Sequence, residues 1–120
     1  MIDPAEVVSI HPYFKIHPGK LEEVKALLPE FVAKVQGEEK NLCYDFTLNG
    51  DALFCRESYV GAEGALAHVE NVGPELERIL AMCDLERLEL HGSAKELDKL
   101  REPFAQLNPV FFEFEVGVTR

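Results

Sequence analysis

Two periodicities alternate along the chain. Val8, Ile10, Phe14 and Ile16 fall on one side of residues 7–16, and Ser9, His11, Tyr13 and Lys15 on the other, the period of a half-buried strand. Pro12 removes a ladder donor within it, which predicts a bulge or a locally unpaired stretch that re-aims His11 or Tyr13. After Pro18-Gly19-Lys20 the period changes. Leu21, Val24, Leu28, Phe31 and Val35, widened by Leu27 and Val32, make the apolar stripe of a helix that Pro29 should kink and Gly37 should end.

Period two returns at Leu42, Tyr44, Phe46 and Leu48, and Asn49-Gly50 reads as a type I′ hairpin turn into a second strand reaching Tyr59. That turn predicts Tyr44 opposite Cys55, Phe46 opposite Leu53 and Leu42 opposite Glu57. Residues 61–83 read as helical, with Ala65, Leu66, Val69, Leu76, Ile79 and Leu80 buried and a corner at Gly73-Pro74. Leu85, Leu88 and Leu90 mark a fourth strand ending near His91-Gly92. Ser93 with Glu96 has the spacing of a capping box, opening a helix through Leu97, Leu100 and Arg101, and residues 110–116 read as a final strand. The order is β-α-β-β-α-β followed by α-β. Its first six elements predict an α+β fold, a ferredoxin-like antiparallel sheet with helices on one face.

One residue breaks the apolar pattern. On either side of the hairpin, Glu57 shares a face with apolar neighbours, and a carboxylate there must find a partner or keep its proton. Tyr59 is one pleat along on the same face, and His68, nine residues later on the next helix, can reach over the strand end. Glu57, Tyr59 and His68 are therefore the candidate catalytic constellation. An imidazole with an ordinary pKa of about 6.5 suits a general base, and Glu57 would orient it or raise its basicity. Tyr44, Tyr13, His11 and Cys55 are the candidate substrate-binding residues, the phenols by stacking or by hydrogen bonds to hydroxyls. The alternative is structural, with His68 and Glu57 serving helix and strand contacts.

Composition narrows the classes. With 120 residues the chain is expected to be one domain, 1–120, with a core of about 7–92 and an α-β extension over 93–120. A net charge of −10 disfavours nucleic acid, and no apolar run approaches the roughly 20 residues of a membrane span, so a cytoplasmic location is the default expectation. Cys43, Cys55 and Cys83 have no metal-ligand spacing and read as reduced thiols. His11, His17, His68 and His91 lie on separate elements with no i, i+4 pair, so no metal is expected. Asp45 and Arg56 read as a structural ion pair across the hairpin. Apolar residues on both strand faces predict a homodimer covering the helix-free face.

With these elements in place the chain resembles the antibiotic biosynthesis monooxygenase domain family of dimeric α+β barrels. The resemblance rests on the strand into His17-Pro18-Gly19-Lys20, on Asn41-Leu42-Cys43-Tyr44-Asp45, on Arg56-Glu57-Ser58-Tyr59 and on Ala67-His68, spanning residues 7–80. It implies a homodimer and, for members of this kind, cofactor-independent oxygenation of quinols or anthrones, haem degradation, or action on small signalling molecules. The family's tryptophan after the glutamate is Tyr59 here, its glycine before Asn41 is Lys40, and the asparagine of its haem degraders matches Pro12, which disfavours haem. The expectation is a monooxygenase that needs no cofactor, acting with O2 on a small aromatic or phenolic metabolite. The alternatives are an isomerase of a small signalling metabolite and a non-catalytic small-molecule-binding dimer.

Overall fold

The computed structural model describes residues 2–120. A 3-10 turn at Pro4–Glu6 precedes β1 (Val7–Ile16), α1 (Leu21–Val35), β2 (Asn41–Asn49), β3 (Ala52–Val60), α2 (Gly61–Asn71), α3 (Gly73–Leu80), β4 (Cys83–Gly92), α4 (Ala94–Asp98) and β5 (Val110–Glu113). The strands form one sheet in the order β2-β3-β1-β4-β5. The first four are antiparallel, as the ferredoxin-like reading requires, and β5 adds parallel to β4.

Inward residues of β1 and β4, such as Val8, Ile10, Leu88 and Leu90, pack with Ala62, Ala65, Leu97 and Leu100. A second cluster joins Phe14, Ile16 and Leu53 to Val24, Leu27, Phe31, Val35 and Ile79. Helix α1 runs through Pro29, whose exposed position lets water satisfy the carbonyl that loses its helical donor. At Pro12 the β1–β3 ladder skips His11 and Pro12, and the β1–β4 register shifts between Tyr13 and Phe14, as a proline inside a central strand demands.

Three expectations are corrected. The hairpin loop is Gly50-Asp51, with Gly50 at φ 61°, because Asn49 still pairs with Ala52. The register therefore moves by two residues, so that Tyr44 faces Glu57 and Phe46 faces Cys55, while Leu42 falls in an irregularity and is exposed. A shift of two preserves every face, so Glu57 stays on the buried side. Helix α4 ends at Asp98, and Glu96 does not close a capping box: its backbone N–H takes Ser93 Oγ, but its Oε1 accepts from Ala62 N–H at 2.9 Å, capping α2 instead. The last strand stops at Glu113 because β4 offers no pairing edge past Gly92, whose carbonyl accepts from Phe114 N–H at 2.7 Å.

Helix α2 lies unusually close to the sheet at Gly64. A Cβ there would sit 2.9 Å from Lys40 Cβ, 3.1 Å from Tyr59 Cβ and 3.3 Å from the Lys40 carbonyl oxygen. Replacing a mid-helix glycine by alanine ordinarily gains about 1 kcal/mol. Here the contact with backbone reverses the sign, and Gly64→Ala is expected to destabilise by about 1–3 kcal/mol. A urea midpoint equal to or above that of the wild type would show that α2 has room to move.

Candidate active site

The sheet's inner face and α1–α3 surround a cavity of about 80 Å³ that opens to solvent on one side. Its wall is apolar almost throughout: Phe14, Phe31, Phe46, Leu76, Leu85 and Leu88 from sheet and helices, with Phe104 and Leu107 from the C-terminal extension. Its polar end is made by Tyr44, Cys55, Glu57 and His68.

Glu57 and His68 are buried, 5% and 4% exposed. Tyr59, fully buried one pleat from Glu57, donates its hydroxyl to Glu57 Oε1 at 2.7 Å. His68 Nε2 faces the same oxygen at 3.4 Å. The other ring nitrogen, Nδ1, lies 2.9 Å from Glu38 Oε2 and 3.2 Å from Oε1. Because a carboxylate only accepts, Nδ1 carries the proton, and neutral His68 then turns its Nε2 lone pair toward Glu57. Asn71 Nδ2 donates to Glu38 Oε2 at 2.9 Å and to the Lys34 carbonyl at 3.1 Å, holding the carboxylate against α1. The rings of Tyr44 and Tyr59 flank the imidazole, with centroids 5.1 and 4.9 Å away.

Burial governs the charge state. It pushes Glu57 up to about 7, against hydrogen bonds from Tyr59 and Cys55 that favour the anion. Burial also lowers His68, opposed by the hydrogen bond and charge of Glu38. The proton between Glu57 and His68 therefore favours a neutral acid–imidazole pair, with the Glu38 carboxyl bonded to the imidazole at the edge of the site. Burial and then the Glu57 charge raise Tyr44, Tyr59 and Cys55, so all three stay protonated. Glu38 also lines a separate outward cleft with Lys34, Gly37, Lys40 and Asn71. The sequence Glu57, His68, Glu38 thus connects the polar end of the cavity to a second opening on the surface through a run of ionisable side chains.

Of the residues expected at a site, the structure brings together Glu57, Tyr59, His68, Tyr44 and Cys55. It does not bring His11 or Tyr13 to this cavity: both alternate to the opposite sheet face, where each packs against Phe54. Pro12 takes the inward position between them. Glu38 was not foreseen. It sits in the loop after α1, where no periodicity aims a side chain, and only the surplus of acid in Glu38-Glu39 marked the segment.

MupZ from Pseudomonas fluorescens is 37% identical over 96% of this chain and 95% of its own, at a TM-score of 0.90. Candidate antibiotic biosynthesis monooxygenases from Nitrosomonas europaea and Caulobacter crescentus CB15 superpose at TM-scores of 0.66 and 0.65, with 15% and 16% identity. They cover 78% and 72% of this chain and 96% and 89% of their own. The chain belongs to the same family as MupZ and shares its fold with the antibiotic biosynthesis monooxygenase-like proteins. No family model and no curated protein matches the sequence. The two monooxygenase-named proteins are covered nearly end to end while leaving part of this chain unmatched, so they are shorter. MupZ extends over nearly the whole chain, and so shares most of the segment after β4.

The raised Glu57 has a thermodynamic consequence. A carboxyl ionising near 4.5 when unfolded and near 7 when folded binds its proton more tightly in the native state, so its contribution is full at low pH and is lost as pH rises through about 4.5 to 7. Lowered His68 works in the opposite sense, costing stability as pH falls below its ordinary range. Glu57→Gln removes the first effect while its amide oxygen, at the position of Oε1, can still accept from Tyr59. The variant should therefore gain about 1–3 kcal/mol on the wild type between pH 5 and pH 8. Urea melts at three pH values test this, and parallel curves would mean that Glu57 titrates as an ordinary carboxylate.

Proposed function

We propose that the protein is a cofactor-independent monooxygenase that oxidises a small, largely apolar phenolic or quinol-type metabolite in the cavity beneath α1–α3. The observation that carries this reading is the Glu57–His68–Glu38 chain at the polar end of an apolar cavity. An electron-rich substrate would place its acidic O–H or doubly activated C–H at Tyr44, Glu57 and His68, with its ring against the phenylalanine wall. Glu57 and His68 act as one base once their shared proton is lost, which happens as pH rises through about 7. The proton taken from substrate is then held between Oε1 and Nε2, with Glu38 stabilising the imidazolium when it forms. The substrate anion passes one electron to O2, and the two radicals join in a C–O bond. The resulting peroxide anion takes back the proton first removed, and the hydroperoxide then loses its second C–H proton and hydroxide together as water. For an anthrone-type CH2 the balance is CH2 + O2 → C=O + H2O. The dry wall protects the anion and the peroxide from solvent.

Isomerisation is the second reading, because the same pair can take a proton from one atom and return it to another. It needs no O2, which separates it from oxygenation. A carrier would bind in the same cavity without turning over. We further read residues 7–92 as the basic module and 93–120 as an extension that completes the cavity wall through Phe104 and Leu107.

Oxygen uptake by the purified protein with a panel of quinols and anthrones is the deciding measurement. Wild type should consume O2, and His68→Ala should lose about 10²–10⁴-fold in turnover while keeping its far-ultraviolet circular dichroism. Equal rates in both proteins would remove the base from His68, and no uptake with any substrate would leave isomerisation or carriage.

The helix-free sheet face presents Tyr13, Phe54, Val110 and Phe112 to the outside, with Tyr13 39% and Val110 40% exposed. We propose that a second copy covers it. Light scattering should return twice the 13.5 kDa chain mass at micromolar concentration, and a single-chain mass would refute the pairing.

A further inference from the structure

The helix-free face carries a second cluster that the cavity does not use. His11 on β1 lies opposite Glu89 on β4, and His91 is two residues along β4, opposite Ser9. All point to the same face because side chains alternate along a strand. One donor atom from each of His11, Glu89 and His91 lies within 4.8 Å of the other two. The imidazoles nearly stack, with centroids 4.3 Å apart. No helical spacing announces such a set, since its members come from two paired strands.

We propose that His11, Glu89 and His91 form a binding site for a first-row divalent transition ion of the zinc class. Two imidazoles and one carboxylate are the donor set that holds such ions with positions left open, and the harder oxygen-seeking cations do not favour the imidazoles. Neighbouring groups already orient the donors. Ser9 Oγ lies 2.8 Å from His11 Nε2, which fixes that ring and leaves its other nitrogen to ligate. Glu89 Oε2 accepts from Arg87 Nε at 2.5 Å, and Oε1 faces His91 Nε2 at 3.1 Å, the contact an ion would replace. Phe112 and Phe54 fence the cluster on two sides, with ring centroids 4.6 Å from His91 and 6.1 Å from His11. The Arg87 charge opposes a cation, so the affinity expected is moderate rather than that of a structural zinc centre. The site is independent of the proposed oxygenase reaction, being on the other face of the sheet from His68. It lies within the face that the second copy is proposed to cover, so an ion there would sit between the two copies.

The test is titration of the full chain, stripped with a chelator and dialysed, with ZnCl2 by calorimetry and with CoCl2 by visible absorption. One ion per chain with micromolar dissociation is expected, together with Co(II) d–d bands of a nitrogen–oxygen site. His11→Ala and His91→Ala should each weaken binding about 10–100-fold, and Glu89→Gln should do the same with every ring retained. Folding of each variant is checked by circular dichroism, and because the three substitutions sit on two strands, a fold failure in one leaves two to read. Absence of saturable binding, or binding that His11→Ala and His91→Ala leave unchanged, overturns the assignment.

Discussion

A carboxyl group that faces the inside of a sheet has few choices: it meets donors, keeps its proton, or drags water in after it. Glu57 does the first two. Tyr59 donates from one pleat away, the imidazole of His68 closes over the same oxygen, and burial holds the acid's pKa near neutrality. The remaining hydrogen-bonding demand is displaced outward, through the imidazole to Glu38 and its Asn71 donor, where the chain meets a solvent-facing cleft. Much of the local structure serves that displacement. Helix α2 must pack close enough for His68 to reach the strand, which is why Gly64 lies against Lys40 and Tyr59. The loop after α1 must turn back so that Glu38 reaches Nδ1.

The segment after β4 is tied into this arrangement rather than appended to it. Glu96 caps the first turn of α2 through Ala62 N–H, and its acidity is strengthened by Lys99 and by that same amide. Phe104 and Leu107 supply part of the cavity wall. Leu97 and Leu100 are fully buried against β1 and α2. Losing this segment would therefore open the cavity and loosen the N-terminus of the helix that carries His68.

Most of the architecture was legible because the two periodicities are clean and the breaks between them carry glycine or proline. Glu57 was legible for the same reason: alternation places every second residue of β3 on one face, whatever the pairing partner. The pairing partners were not, since Asn49-Gly50 and Gly50-Asp51 are both sound two-residue loops and the difference is a slip of two that leaves the hydrophobic pattern unchanged. The final strand was read too long, to 116, because alternation measures amphipathicity and cannot see that β4 has ended. Glu38 was out of reach, as a loop residue's direction is set by tertiary contacts. So was the His11, Glu89 and His91 cluster, because closeness across a ladder depends on strand order, and β4 joins β1 only after three helices and a hairpin intervene.

Strand β1 couples the two faces. Ile10, Pro12 and Phe14 line or border the cavity, while Ser9, His11 and Tyr13 stand on the opposite side, so one strand's register sets both at once. In a uniform ladder a one-residue error in that register would exchange apolar wall for imidazole and phenol. The proline makes such an error costly, because its missing N–H fits only where β3 leaves His11 and Pro12 unpaired, and the shift between Tyr13 and Phe14 absorbs the resulting mismatch with β4. Pro12 thus acts as a register pin. That role also explains how a residue without a hydrogen-bond donor is accommodated in the middle strand of the sheet, where a proline is otherwise disfavoured.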